Sequence, residues 1–342
     1  MVIPRFPGDR PLDLSRPLEE IKIQIDARQD GQRLDKALLC FLTWRSRTSI
    51  QQLIDDGFVE HRGQKGRAGA KVQAGDVVKV RIPQRPAPLP VAAPPGDDEI
   101  GILYEDEWMI ALDKPAGLAV HPAGRRVEGT LIHWLHRRYR RPDDPAHDVV
   151  PRLLHRIDRE TSGVVCASLN ADFHGKVGRM FEDRFVTKTY LAVVHGTPPV
   201  AEGLVDFGIG AARGSAIHLK MEARKDGSGL PALTRFKVVR SNSRYSLVEL
   251  WPKTGRQHQI RVHMAALGCP LVGDKVYGVP ESVFFEHLEN AISPESVRLL
   301  ILPRHALHAH KLVFAHPFAE KELVFEAPLP ADLESLVGVE GS

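Results

Sequence analysis

One carboxylate set between two guanidinium groups opens the chemical reading of this chain. Asp158 lies in the run Leu154-His155-Arg156-Ile157-Asp158-Arg159-Glu160-Thr161-Ser162-Gly163-Val164-Val165. Flanking arginines favour the ionised form of such an acid. An ionised carboxylate held on a rigid turn can attack as a nucleophile or anchor a cation. Thr161 and Ser162 have hydroxyls suited to turns, and Gly163 accepts a positive φ. Val164-Val165-Cys166 then reads as the start of a buried strand. By spacing alone the competing reading is a surface salt-bridge cluster of little energetic worth.

Other stretches carry chemistry-bearing side chains. Lys188-Thr189-Tyr190-Leu191-Ala192-Val193-Val194-His195-Gly196 alternates as a strand and includes Tyr190, whose ring can stack and whose phenol can relay a proton. Lys253-Thr254-Gly255-Arg256-Gln257-His258-Gln259-Ile260-Arg261-Val262-His263-Met264 reads as a helix capped by Thr254, with Arg256 in its first turn and Gly268 at its end. Asp113-Lys114-Pro115-Ala116-Gly117-Leu118-Ala119-Val120-His121-Pro122 is a tight path containing His121. His305, His308, His310 and His316 invite a metal reading. They have no clear carboxylate or cysteine companion, so structural histidines are expected and no metal. The triplet Lys253-Thr254-Gly255 also occurs in penicillin-binding enzymes, but no S-x-x-K accompanies it.

Taken together these stretches resemble the pseudouridine synthases of the large-subunit-rRNA type. The Asp158 run is similar to that family's HRLDRxTSG signature, with Ile157 for Leu. The others resemble its KPxGxxVHP, KxYxAxVxG and TGRxHQIRxH…GxPxxGDxxYG patterns, and Arg304 to Pro317 its closing RxxLHA…HP strands. The resemblance implies that Asp158, Tyr190 and Arg256 are the catalytic residues, Arg256 being the ion-pair partner of Asp158. Arg261 is a second candidate, as an RNA or structural contact. Arg156 would fill the gap left by a flipped uridine, and His121 would line the pocket. The implied reaction is uridine to pseudouridine within RNA, most simply large-subunit rRNA, with tRNA as the alternative and no cofactor. A binding-only RNA protein and an N-glycoside hydrolase are the rival classes.

The elements that must position these residues suggest two domains, as 342 residues allow. Residues 1–20 read as a flexible tail. Residues 21–83 hold ten Lys/Arg against five Asp/Glu within 31–83, in a chain of net charge only +3. Such a local excess suits a polyanion. Arg33-Leu34-Asp35 on one short helix and Ser46-Arg47 at the start of the next resemble an S4-like RNA-binding domain. Arg33, Arg45, Arg47, Lys65 and Arg67 are then the expected phosphate contacts, which position RNA without reading its sequence. Residues 84–98 form a proline-rich linker. Residues 99–330 would be the catalytic α+β domain, with a mixed, largely antiparallel sheet, and 331–342 a C-terminal tail. Three scattered cysteines argue for a reducing compartment. No long apolar run or signal peptide is evident, so a cytoplasmic monomer with no membrane association is expected.

Overall fold

The computed structural model describes residues 20–42, 47–81, 100–122, 129–144, 146–289 and 291–338. The proline-rich stretch, Arg45, and most of the 1–20 tail lie outside them. The chain divides into two compact units, one of residues 1–96 with 121–151, the other of 97–120 with 152–342. Residues 121–151 therefore group with the N-terminal unit, whereas the sequence reading placed them in the catalytic domain.

In the first unit, β1 (Glu20–Gln24), β2 (Val59–His61), β3 (Gln64–Lys65) and β4 (Val77–Arg81) form a four-stranded antiparallel sheet in the order β1-β4-β2-β3. Alternation places Ile21, Ile23, Val78 and Val80 on the inner face. Helices α1 (Leu34–Leu39) and α2 (Arg47–Asp55) supply Leu34, Ala37, Leu38, Ile50, Leu53 and Ile54 to the same core. Strand β1 is not evident from the sequence, because Glu20 and Lys22 leave only two apolar residues of alternation. The unit also contains α3 (Leu131–Tyr139), with Leu131, Trp134 and Leu135 buried and Arg137 and Arg138 in its last turn.

The second unit is a mixed α+β structure. Its main sheet is built from β5 (Gly101–Glu105), β6 (Met109–Lys114), β7 (Arg152–Leu153), β8 (Ser162–Ser168), β9 (Thr187–His195), β10 (Glu202–Val205), β13 (Thr234–Ser241), β14 (Tyr245–Pro252), β15 (Leu307–Ala315) and β16 (Glu322–Glu326). These strands run in the order β10-β13-β14-β9-β15-β8-β6-β5, with β16 paired to β15 and β7 to β8. Between β10 and β13, β11 (Gly208–Ala211) and β12 (Met221–Arg224) make a separate hairpin. All pairings are antiparallel except β15 with β8, where His308 faces Ser162 and Ala309 faces Gly163. Strand β8 is buried along its whole length, matching its unbroken apolar run.

Helices α4 (Ala171–Glu182), α5 (Gln259–Ala266), α6 (Glu281–Leu288), α7 (Pro294–Leu300) and α8 (Ala331–Val337) complete the unit. Helix α4 begins at Asn170, whose side chain accepts from the backbone N–H groups of Asp172 and Phe173. Helix α8 lies in the expected C-terminal segment, whose sequence suits a short helix followed by a frayed end. Leu333 and Val337 are buried, and Asp332 takes a two-point ion pair from Arg304 at 2.7 and 2.9 Å. Among the described residues, no helix is long and apolar enough to cross a membrane.

Candidate active site

Asp158 sits on the turn that feeds β8. Its carbonyl accepts from Thr161 N at 3.1 Å, closing the turn. The hydroxyls beyond it are fixed by the neighbouring strand β15 and the turn that leads into it. Thr161 Oγ1 shares a hydrogen bond with His305 Nε2 (2.8 Å), and Ser162 Oγ one with His308 Nδ1 (2.9 Å). Gly163 follows at φ +105°, where a Cβ would collide with the carbonyl of Ala309. This glycine is required twice over, by its backbone angle and by the closeness of β15.

The turn is braced from below by Lys114. Its side chain is fully buried, and its ammonium donates to the carbonyls of Pro115, Leu118 and Arg159 at 2.8, 2.9 and 3.1 Å. Burial, and then the nearby Arg304 charge, push its pKa down to about 7. Gly117 N donates to the same Arg159 carbonyl at 2.9 Å. Glu160 is held by Lys275 Nζ at 2.8 Å and accepts from His305 N at 3.2 Å. The residues that follow Asp158 are thus immobilised, while its own side chain stays 36% exposed.

The cation facing Asp158 is Arg261, whose Nη1 donates to Asp158 Oδ2 at 3.2 Å. The other edge of the same guanidinium forks onto Asp274, with Nε to Oδ2 at 2.7 Å and Nη2 to Oδ1 at 2.8 Å. Tyr277 lies under the guanidinium, 5.2 Å from its ring centroid. Asp274 is completely buried and also accepts from Val276 N and Tyr277 N. Burial would raise the Asp158 carboxyl, but Arg261, His258 and His305 together hold it below its ordinary value. Asp274 is likewise brought down to about 2, Arg261 outweighing its burial.

Arg256 does not make the expected ion pair. Helix α5 begins at Gln259, later than the sequence reading, with His258 as its left-handed N-cap at φ 56°. Thr254 caps no helix; its hydroxyl donates to Gln259 Oε1 at 2.6 Å and accepts from Leu233 N at 3.1 Å. Arg256 is therefore in the loop, and its Nε donates to the Pro231 carbonyl at 3.0 Å. Arg261 is in the first turn of α5, where its long side chain reaches both carboxylates.

Tyr190 is half-buried on β9. Burial and then the Asp158 charge push its phenol above its ordinary value, which places ring and carboxylate within electrostatic reach. Arg156 is exposed on the Asp158 turn. His121 is exposed in the first unit. The four histidines have structural partners: His305 and His308 as above, His310 with the Ala327 carbonyl, and His316 accepting from Phe318 N.

Among the expected phosphate contacts, Arg33 and Arg47 are clamped by Asp35. Arg33 reaches it at 3.0 and 3.2 Å, Arg47 at 3.2 and 3.1 Å, and Gln51 adds a bond of 2.8 Å. The Asp35 side chain is buried while the arginines are about half exposed, so it holds two outward-facing charges in place. Arg33, then burial against it, Gln51 and Arg47 set the carboxyl far below its ordinary value. Lys65 donates to the Asp55 carbonyl at 2.6 Å, at the end of α2, and Arg67 is exposed.

The sequence alone assigns no role to Lys114, His258, Asp274 and Tyr277. All lie inside the matched motifs, which were the available signal. His258 joins the group because its Nδ1 shares a 2.9 Å hydrogen bond with Tyr277 Oη, which accepts from Met221 N at 3.0 Å.

The site thus presents an ion-paired, partly exposed carboxylate on a mixed sheet. Comparison with known proteins gives the chain its family. A family model described as RNA pseudouridylate synthase matches residues 108–266. A Bacillus subtilis protein described as the uncharacterized RNA pseudouridine synthase YlyB is 35% identical over 320 residues, spanning 94% of this chain and 98% of its own. The ribosomal large subunit pseudouridine synthase D of Zymomonas mobilis is 34% identical over 309 residues, 90% of this chain and 93% of its own. The structure of human RNA pseudouridylate synthase domain containing 1 aligns with a TM-score of 0.54 and 26% identity, over 70% of this chain and 89% of that one. The chain belongs to the RNA pseudouridine synthases. It is an isomerase acting on RNA.

Proposed function

We propose that the enzyme isomerises uridines of large-subunit ribosomal RNA, with Asp158 as the reacting carboxylate and no cofactor. The observation that carries this is the Asp158–Arg261 ion pair at 3.2 Å, with the Asp158 carboxylate still partly open to solvent. The choice of RNA rests on relatives such as the Zymomonas mobilis protein, named for the large ribosomal subunit.

The reaction breaks the N1–C1′ bond and joins C5 to C1′, with the C5 proton lost and N1 protonated. An ionised carboxylate can attack C1′ or remove the 2′ proton, and both need it deprotonated and aimed. Arg261 does both, being itself fixed by Asp274. Tyr190 stacks on the base and assists proton removal at C5. Arg156, exposed beside Asp158, fills the stack when the uridine flips out. Arg33, Arg47, Lys65 and Arg67 engage RNA phosphates.

Release of tritium from RNA labelled at uridine C5 tests the reading. The parent protein should release tritium from large-subunit rRNA and Asp158→Asn should not. Release from tRNA alone would replace the substrate while keeping the chemistry. Release of free uracil would convert the isomerase into a hydrolase.

A further inference from the structure

Arg256, displaced from the ion pair, lines a cavity of about 370 Å³ in the second unit that does not include Asp158. Its walls come from the end of α4, the start of β9 and the end of β14. Arg184, Lys188, Lys253 and Arg256 line it with the ring of Trp251, against one acid, Glu182. Among the described residues, Arg184, Lys188 and Lys253 form no ion pair, and the Arg256 guanidinium donates only to the Pro231 carbonyl. Four cations therefore share one concavity without a matching set of carboxylates. Burial, and then Arg184, lower the pKa of Lys188, as expected where like charges are crowded.

The backbone holds this crowding in place. Arg184 follows the last turn of α4 at φ 63°, a left-handed position that glycine usually fills. Its N–H donates to Phe181 O, and Phe185 N donates to Met180 O at 2.8 Å, so the chain turns here by a regular helix-closing pair. Lys188 and Tyr190 occupy alternate positions of β9 and share its more open face, Thr189 between them being buried. Two residues of strand span about 7 Å. The cavity thus lies one short step along β9 from Tyr190.

We infer that this cavity is a subsite for a backbone phosphodiester of the RNA strand flanking the target uridine. Lys188, Lys253, Arg184 and Arg256 would surround the phosphate, and Trp251 would form the apolar wall against the adjoining sugar or base. The inference rests on RNA being the substrate and on Asp158 marking where the uridine reacts. It gives Arg256 a task, which is holding the strand rather than aiming the carboxylate.

The test is the salt dependence of RNA binding. Equilibrium binding of an rRNA fragment that the parent modifies is measured across a salt series for the full chain, Lys253→Glu, Lys188→Gln/Lys253→Gln and Lys253→Arg. Losing one phosphate contact flattens the plot of log affinity against log salt by about 0.7 for single strands, so the double variant, which strips two of the four cations from the one phosphate, should be shallower by about 0.7. Its affinity near physiological salt should fall about tenfold. Lys253→Arg should keep the parent slope. Lys253 is exposed, so its variants report on binding even if Lys188→Gln disturbs packing. Identical slopes in parent and double variant would overturn the subsite. Tritium release by the parent, measured alongside, separates that failure from failure of the proposed reaction.

Discussion

Replacing Arg261 by Gln, with Arg256→Gln as its counterpart, separates the two arginines of one motif. Charges about 4 Å apart at an effective dielectric of about 20 attract by about 4 kcal/mol. Asp158 is 36% exposed, so solvent screening reduces the share felt by its carboxylate to about 1–2 kcal/mol. At about 1.4 kcal/mol per unit, the Asp158 pKa should rise by about one unit in Arg261→Gln. The direction follows from the sign of the native shift. Asp158 is held below its ordinary value, so its ionised form is lost only as pH falls through that lowered pKa. Without Arg261 the loss comes earlier, and the acid limb of kcat/KM for tritium release should move up by about one pH unit. Stability should fall as well, because Asp274 has no exposed surface and would lose its fork. Breaking a buried pair in this way costs about 3–5 kcal/mol in urea unfolding. Arg261→Gln/Asp274→Asn should recover part of that stability, since no buried carboxylate is stranded, while leaving the acid limb displaced. Arg256→Gln should change stability by no more than about 0.5 kcal/mol and leave the limb in place, since its guanidinium meets one carbonyl at the surface. A displaced limb in Arg256→Gln and an unmoved one in Arg261→Gln would refute the assignment.

Gly163→Ala should destabilise the second unit by about 2–5 kcal/mol in urea unfolding, because strain at positive φ adds to a collision with the Ala309 carbonyl. Lys114→Met should cost about 2–4 kcal/mol and lower kcat, since the carbonyls of Pro115, Leu118 and Arg159 lose their common donor and the Asp158 turn loosens. Unchanged unfolding midpoints would argue against that brace. Tyr190→Phe keeps the ring and removes the hydroxyl, so RNA affinity should persist while kcat falls if the phenol moves the proton; an equal kcat would restrict Tyr190 to stacking. Arg33→Gln and Arg47→Gln should each flatten the salt dependence of RNA binding by about 0.7–0.9. A slope equal to the parent's would make the Asp35 clamp a structural device only.

Much of the site was legible because its information is local. The Asp158 turn, the Tyr190 strand and the Gly268 helix end are short stretches whose residue types restrict the backbone directly. The alternation of residues 187–195 and the buried run of 162–168 likewise place β9 and β8. The same locality explains the error over Arg256. Thr254 has the chemistry of a helix cap, and nothing in the stretch itself shows that its hydroxyl is engaged by Gln259 and Leu233. Helices α6 and α7 and strand β1 are not legible in the sequence, being short elements whose burial is set by what packs on them.

What the sequence by itself determined is the chemistry present, namely one acid in a rigid turn, a nearby tyrosine strand, an arginine-bearing block and a basic N-terminal segment. Which arginine meets Asp158 was decided only in three dimensions. The left-handed cap at His258 sets where α5 begins, and so which side chain turns inward. Asp274 becomes the second jaw on Arg261 because a loop beyond α5 folds back over it. His305 and His308 reach Thr161 and Ser162 because β15 runs parallel to β8 across 146 residues of sequence. Side-chain type and backbone preference are local properties, whereas the pairing of buried charges depends on distance and desolvation, which exist only once the sheet has closed.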